Sequence, residues 1–189
     1  ANEMSNITKN SYTRIKQQVK PLFMIYYLNI LNSLVIENKN QEASSFIYKL
    51  AYLYRYMIEN EEESLVTIRE ELDFVNEYTD LMKVRFGSSF DVVNEIDEEI
   101  LPNFVVPCSI QLLIENAIKH NGGTTQTPLN IRMYNTATHI VIWNNRLKKN
   151  TCEPTTHIGL NYIQKLYSDL SPKELTVEST EEEFVVKLP

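Results

Sequence analysis

The chain is expected to be an α+β protein: an N-terminal helical hairpin, then a sandwich of one mixed sheet with helices on one face. Three observations carry this. Apolar residues recur at helical spacing through the first third of the chain. Short runs with strand signals follow, separated by helical stretches. No internal repeat or low-complexity segment stands out. The 189 residues suffice for one large domain, or for a compact domain with a helical appendage. The expected division is a helical region over 1–62 and a sheet domain over 63–189.

Residues from about Glu3 to Ile36 read as one long helix. Ile15, Val19, Leu22 and Tyr26 form one stripe, with Phe23, Tyr27, Ile30 and Leu34 beside it. Pro21 removes a backbone donor inside that pattern, so a bend is expected there. After the polar break Glu37-Asn38-Lys39-Asn40, a second helix spans about Gln41 to Glu59. Its Phe46, Leu50, Leu53 and Met57 make a coiled-coil-like seam. Two such helices joined by a short connection favour an antiparallel hairpin, and two hairpins can pair into a four-helix bundle. The competing reading is that the seam packs on the chain's own following domain.

The charge run Glu61-Glu62-Glu63 reads as a solvated turn. Thr67-Ile68-Arg69-Glu70 is a capping box, with Thr67 as N-cap. The helix it opens carries Leu72, Val75, Thr79, Met82 and Phe86 on one face and stops before Gly87. Arg85 near its end suits a helix C-terminus as a cation. Phe90, Val92, Asn94 and Ile96 alternate as a strand, and Phe104-Val105-Val106 is another, leading into Pro107. A helix from about Cys108 to His120 follows. Leu129–Tyr134 and His139–Trp143 form a hairpin around Asn135-Thr136-Ala137-Thr138. A polar loop covers Asn144 to Thr156, Ile158–Ser168 is a helix, and Leu175–Glu178 with Phe184–Leu188 closes the sheet.

Bulk properties exclude several classes. A formal net charge of −7 leaves no basic excess to neutralise phosphates, against a general nucleic-acid binder. Cys108 and Cys152 are the two cysteines, and nothing pairs them with histidines at metal spacing, which points to a reducing compartment. No apolar run approaches the roughly 20 residues that span a bilayer, and no signal-peptide pattern opens the chain. It opens as if in mid-helix, as an excised fragment would.

The stretch Pro21-Leu22-Phe23-Met24-Ile25-Tyr26-Tyr27-Leu28-Asn29 resembles the Pro-His-Phe-Leu-Phe-Asn-x-Leu-Asn signature of the LytS-type sensor histidine kinases. Pro21, Phe23, Leu28 and Asn29 match, and Met24 and Ile25 are apolar stand-ins. Leu22 occupies the position of the phospho-accepting histidine, and Tyr26 replaces the first asparagine. Further matches run in order to the end of the chain. The resemblance implies a GHKL (Bergerat-like) ATPase domain after the helical region and a homodimer through the N-terminal helices. It also implies a membrane-spanning sensor region upstream, anchored in the inner membrane, with this segment cytoplasmic.

The helix ending Glu115-Asn116-Ala117-Ile118-Lys119-His120 is the strongest site signal. Ile110, Leu113, Ile114 and Ala117 define its buried face, while Glu115/Lys119 and Asn116/His120 sit four apart on the other side. On spacing alone, Glu115–Lys119 is a solvated helix ion pair. The string is similar to the N box of GHKL domains. That similarity implies Asn116 binding Mg²⁺ through its carbonyl oxygen, Glu115 polarising a water or proton, and Lys119 and His120 near the phosphates of ATP. Asn121 stands where the family has glycine. Asn144, ending Ile140-Val141-Ile142-Trp143-Asn144-Asn145, falls where the family reads the adenine amino group, and its carbonyl oxygen could accept that bond. The alternative is a strand-end asparagine making a turn. Thr156-His157-Ile158-Gly159-Leu160-Asn161-Tyr162 resembles the Gly-Ile-Gly-Leu-x-Asn box. Gly159 and Leu160 match, His157 replaces a glycine but could contact phosphate, and Tyr162 replaces the asparagine. Leu166 stands in place of an arginine, while Tyr167 fits.

Histidine phosphorylation needs an imidazole lone pair in line with the γ-phosphate, and leucine has none. The three histidines, His120, His139 and His157, all lie outside the acceptor helix. Three functions remain open. One is a transmitter that has lost autophosphorylation and works through dimer geometry or with a response regulator or kinase-competent paralogue. A second is an ATP-dependent kinase acting on a partner chain's histidine. The third is a helical-dimer scaffold with a vestigial nucleotide pocket.

Overall fold

The computed structural model describes residues 24–60, 65–149, 158–171 and 173–189. The chain separates into two compact units, Ala1–Ser44 and Ser45–Pro189. The boundary expected between 62 and 63 lies outside the described residues, as do Pro21 and the expected bend.

In the first unit, residues 24–36 are helical (α1). Tyr27, Ile30 and Leu34, at helical spacing, are buried, while Ile25, Leu28, Val35 and Ile36 are more than half exposed. The polar break ends α1 by a specific device. Asn38 takes a left-handed φ of 56°, Lys39 N donates to Leu34 O at 2.9 Å and Asn38 N donates to Val35 O at 3.0 Å. This pair of bonds satisfies carbonyls that the helix end would otherwise strand.

Helix α2 (Asn40–Glu59) begins in the first unit and continues into the second. The expected seam is not free. Along that seam Phe46 and Leu53 are buried and Leu50 and Met57 half-buried in the single chain. The apolar residues α2 leaves in solvent are Ile47, Tyr48, Tyr52 and Ile58.

The capping box opens α3 (Ile68–Phe86) as its sequence demands. Glu70 N donates to Thr67 Oγ1 at 3.2 Å, and Thr67 N donates to Glu70 Oε2 at 2.9 Å. The helix stops at Gly87, whose φ of 53° suits a residue without a Cβ. Its buried face is wider than the expected stripe and includes Glu71, Phe74, Tyr78 and Leu81. Tyr56 of α2 stacks on Phe74 at 4.4 Å between ring centroids, seating the second half of α2 against α3.

Five strands form the sheet: β2 (Phe90–Glu95), β4 (Leu129–Asn135), β5 (Ile140–Asn145), β6 (Thr176–Ser179) and β7 (Glu183–Leu188), in spatial order β2-β4-β5-β7-β6. β2 and β4 are parallel and the remaining pairs antiparallel, so the sheet is mixed. The register aligns Ile131 with Asn144 and Asn144 with Phe184, and likewise Met133, Ile142 and Val186. That face carries the buried residues Phe90, Leu129, Ile131, Met133, Ile142 and Val186 and meets the helices. The opposite face carries Asp91, Glu95, Arg132 and Lys187, with Arg132 Nη2 bonded to Glu95 at 2.7 Å. The α+β expectation, with helices on one face, is met.

Phe104–Val105 is a strand (β3), but it does not join the sheet. It pairs antiparallel with Val66–Thr67 (β1), a two-residue ribbon that ties the start of α3 to the entry of α4 (Ser109–His120). Helix α5 (Ile158–Leu170) packs on the other flank of α4.

Candidate functional site

Helix α4 positions the candidate residues, and its first turn is held by side chains from both neighbouring helices. The first amides of a helix have no partner within it. Here they converge on Glu71 of α3: Cys108 N donates to Oε2 at 2.9 Å, Ile110 N to Oε1 at 3.0 Å and Gln111 N to Oε1 at 3.4 Å. Cys108 adopts a left-handed φ of 62° as it turns into the helix. From the other flank, Tyr167 of α5 lies 3.2 Å from Ser109 Oγ and accepts from Val106 N at 3.4 Å. Burial pushes the Tyr167 hydroxyl up to about 12. Sequence reading missed Glu71. The available signal was a carboxylate in phase with the buried positions 74, 75, 78 and 82.

Farther along α4, Glu115 is 2% exposed, which overturns the solvated ion-pair reading. It accepts from Lys119 Nζ at 2.6 Å and Gln111 Nε2 at 3.0 Å, with the Tyr78 hydroxyl at 3.5 Å. Lys119 keeps about a quarter of its side chain in solvent. A carboxylate so placed is held in one orientation between a cation and an amide donor, the arrangement a fixed acceptor needs.

Asn116, one residue on, is half-buried and its amide makes no hydrogen bond among the described residues. Gly159, the second residue of α5, lies against it. A Cβ added at Gly159 would sit 3.4 Å from Asn116 Oδ1 and 3.5 Å from Nδ2. Two boxes 43 positions apart in the sequence thus meet at an uncommitted amide. Leu160 is half-buried beside Gly159 in the chain, and His120, the last residue of α4, is exposed. His157 and Leu22 lie outside the described residues.

Asn144 is 3% exposed at the end of β5, on the helix-covered face of the sheet. Its Nδ2 donates to Asn145 O at 2.7 Å, which leaves Oδ1 as the acceptor. Asn145 is instead committed to the neighbouring strand: its Oδ1 accepts from Asn130 N at 2.7 Å and its Nδ2 donates to Pro128 O at 3.3 Å, at the entry of β4.

Asn121 clips the chain leaving β5 onto the end of α4. Its Nδ2 donates to Ala117 O at 2.8 Å and its Oδ1 accepts from Leu147 N at 2.8 Å. Lys149 Nζ adds a bond to Lys119 O at 2.8 Å. Gly122 is needed there, because a Cβ would meet Lys148 O at 2.8 Å. Leu166 is buried, so its position looks into the core and has no room for a solvated guanidinium.

The residues present fit Mg²⁺ and a nucleotide in part. Among the described residues no group of three or more His, Cys, Asp or Glu could hold a metal ion. A magnesium ion would therefore take the Asn116 carbonyl oxygen as its protein ligand and draw the others from phosphate and water, its common habit in phosphoryl-transfer sites. Among the described residues no helix is long and apolar enough to cross a membrane.

Comparison with known proteins places these features in context. The histidine kinase family matches residues 10–90. The sensor histidine kinase/phosphatase LytS of Staphylococcus aureus is 28% identical over 121 residues in both strain Mu50 and strain N315, covering 64% of this chain. The aligned stretch spans 20% of the length of those relatives. Among solved structures, the nucleotide-free catalytic domain of the histidine kinase ThkA matches 66% of this chain and 94% of its own, at 19% identity and a TM-score of 0.45. A complex of ThkA with the response regulator protein TrrA matches 100% of this chain and 63% of its own, at 16% identity and a TM-score of 0.43.

Proposed function

We propose that this chain, which carries a histidine kinase region of the LytS type, is a two-component transmitter that passes on a signal without phosphorylating itself. The observation that carries this reading is Leu22, an alkyl side chain where the phospho-accepting imidazole would stand. A phosphoramidate requires a ring nitrogen as nucleophile, and no rearrangement of a leucine supplies one. Mg²⁺-ATP binding is retained in this reading. Support for it comes from the open Asn116 amide against Gly159, the oriented Glu115 and the acceptor Oδ1 of Asn144.

The signal then travels as a change in nucleotide occupancy and helix geometry. A homodimer through the N-terminal helices, or pairing with a kinase-competent paralogue, would deliver it to a response regulator. An upstream segment would anchor the whole protein in the inner membrane, with this region on the cytoplasmic side.

Thermal unfolding with and without Mg²⁺-ATP, paired with ³²P incorporation, tests the proposal. A ligand at about 100 times its Kd stabilises by roughly 2.7 kcal/mol, so a retained site gives a plain upward shift. A shift with no incorporation is the expected result. Acid-labile label on the chain, or on an added partner, would replace this reading with that of an active kinase. No shift at millimolar nucleotide would reduce the domain to a scaffold.

A further inference from the structure

We propose that Glu71 is an ionisable positioning residue: its carboxylate grips the first turn of α4 from the neighbouring helix, and gain or loss of one proton resets the placement of Asn116. The proposal rests on the reading of Asn116 as part of the site, but its test needs no nucleotide.

The geometry is unusual for a structural cap. N-caps are ordinarily supplied by the residue that begins the helix, a Ser, Thr, Asp or Asn. In α4 that place is held by Cys108, which makes no side-chain cap. The cap comes instead from a glutamate 37 residues earlier, fully buried, with both oxygens engaged by α4 amides. A negative charge is well placed there, at the positive end of the helix dipole. Its environment otherwise opposes ionisation. Burial pushes the Glu71 carboxyl up to about 7, against the pull of the three backbone amides.

The groups that face it do not neutralise it. From α2 comes Tyr56 and from α5 Tyr167, both held protonated by burial and by the Glu71 charge. From α4 come the Cys108 thiol and, farther on, Glu115 with its partner Lys119. On α3 itself Glu70 is turned to Thr67, and Asp73 is exposed. None of the interactions that shift Glu71 comes from a lysine or arginine. A neutral Glu71 would instead offer an O–H donor, and Tyr56 Oη, whose hydroxyl feels the Glu71 charge, is buried without a hydrogen-bond partner among the described residues. Two arrangements are therefore built in. In one the charged carboxylate holds the amides of Cys108, Ile110 and Gln111; in the other a protonated carboxyl turns toward the Tyr56 oxygen and loosens the first turn. Asn116 lies two turns along the same rigid helix, so a shift of that first turn moves it against Gly159.

The test is a pH titration by NMR between pH 5.5 and 8.5 on the whole chain. It follows the Glu71 side-chain carboxyl carbon, the amides of Cys108, Ile110 and Gln111, and the side-chain amide of Asn116. The expected result is one shared midpoint near neutrality in the wild type, and pH-independent signals at Cys108, Ile110, Gln111 and Asn116 in Glu71→Gln, which keeps the shape and one acceptor. If the Asn116 amide stays flat while the carboxyl titrates, Glu71 is a local cap and the positioning role is overturned. A Glu71 midpoint below pH 5.5 overturns it as well, and both of these read out in the wild type even if the variant folds poorly.

Discussion

Gly159 faces Asn116 across the width of one methyl group: a Cβ on Gly159 would come to rest 3.4 Å from the Asn116 carbonyl oxygen. That separation is an ordinary van der Waals contact, so alanine fits without a clash, yet it covers the face of the amide that an ion or phosphate would approach. Gly159 also lies within a helix, where alanine is favoured by up to about 1 kcal/mol. Gly159→Ala is therefore expected to leave the unliganded melting temperature unchanged or raised, and to abolish the shift given by Mg²⁺-ATP. Gly159→Leu, too large for the gap, is expected to lower both. Differential scanning fluorimetry with and without nucleotide separates these effects. An unchanged nucleotide shift in Gly159→Ala would remove this contact from the site.

Glu115 makes a second prediction, this time about stability. It is buried against Lys119, Gln111 and Tyr78, so its removal strands an ammonium and an amide donor at once. Breaking a fully buried pair from one side costs roughly 3–5 kcal/mol. Lys119 can swing partly into water, so Glu115→Ala is expected at or below the low end of that range. Glu115→Gln, which keeps an acceptor for Gln111, should cost less. Urea denaturation of the two variants ranks them. Equal costs would mean that the carboxylate charge contributes nothing there.

Much of this was legible in the sequence because the signals were local. The Thr67–Glu70 box, the stop at Gly87 and the alternation of Leu129, Ile131 and Met133 each depend on residues within one turn or one strand. What escaped depends on partners far apart in the chain. The β1–β3 ribbon is two residues long on each side, too short to carry a period. Glu71 sits between Glu70, which caps α3, and Leu72, which is core; its phase with Phe74, Val75 and Tyr78 marks the buried face, but the amides it holds lie 37 or more residues further along the chain. Glu115 was assigned to the polar side of α4 because its i+4 partner is a lysine. In the fold Glu115 is covered as well, while Lys119 keeps about a quarter of its side chain in solvent. The seam on α2 was visible as a seam, but periodicity does not say which surface it meets.

The buried Glu71 carboxyl also predicts how stability depends on pH. Its folded-state value lies near 7, raised from 4.5 by burial, so between those limits the native chain binds more protons than the unfolded one. Its contribution is then fully present below about pH 4.5 and is lost as the pH rises through about 7, a swing on the order of 3 kcal/mol. Glu71→Gln carries no such proton. The stability of the variant relative to wild type should rise from pH 5 to about pH 7 and level off above it, as read by urea midpoints from pH 5 to pH 8. A difference that is constant with pH would place the Glu71 value near that of an ordinary carboxylate.

The helical region yields the last prediction, which turns on which apolar stripe is free. The seam residue Leu53 is 3% exposed in the single chain, whereas Leu28 of α1 is 52% exposed and shares its face with Ile25 and Val35. If the proposed homodimer forms, the surface that gains from it is the one still in water, at about 25 cal/mol for each Å² of apolar area removed. Leu28→Glu is then expected to convert a dimer to a monomer with little change in the unfolding of the sheet domain. Leu53→Glu should unfold the chain at any concentration, because it places a carboxylate in the core with no partner. Sedimentation velocity and circular dichroism on the two variants decide the matter. A dimer that survives Leu28→Glu would move the contact to the Ile47, Tyr48 and Tyr52 face of α2, a second apolar surface exposed among the described residues of these helices.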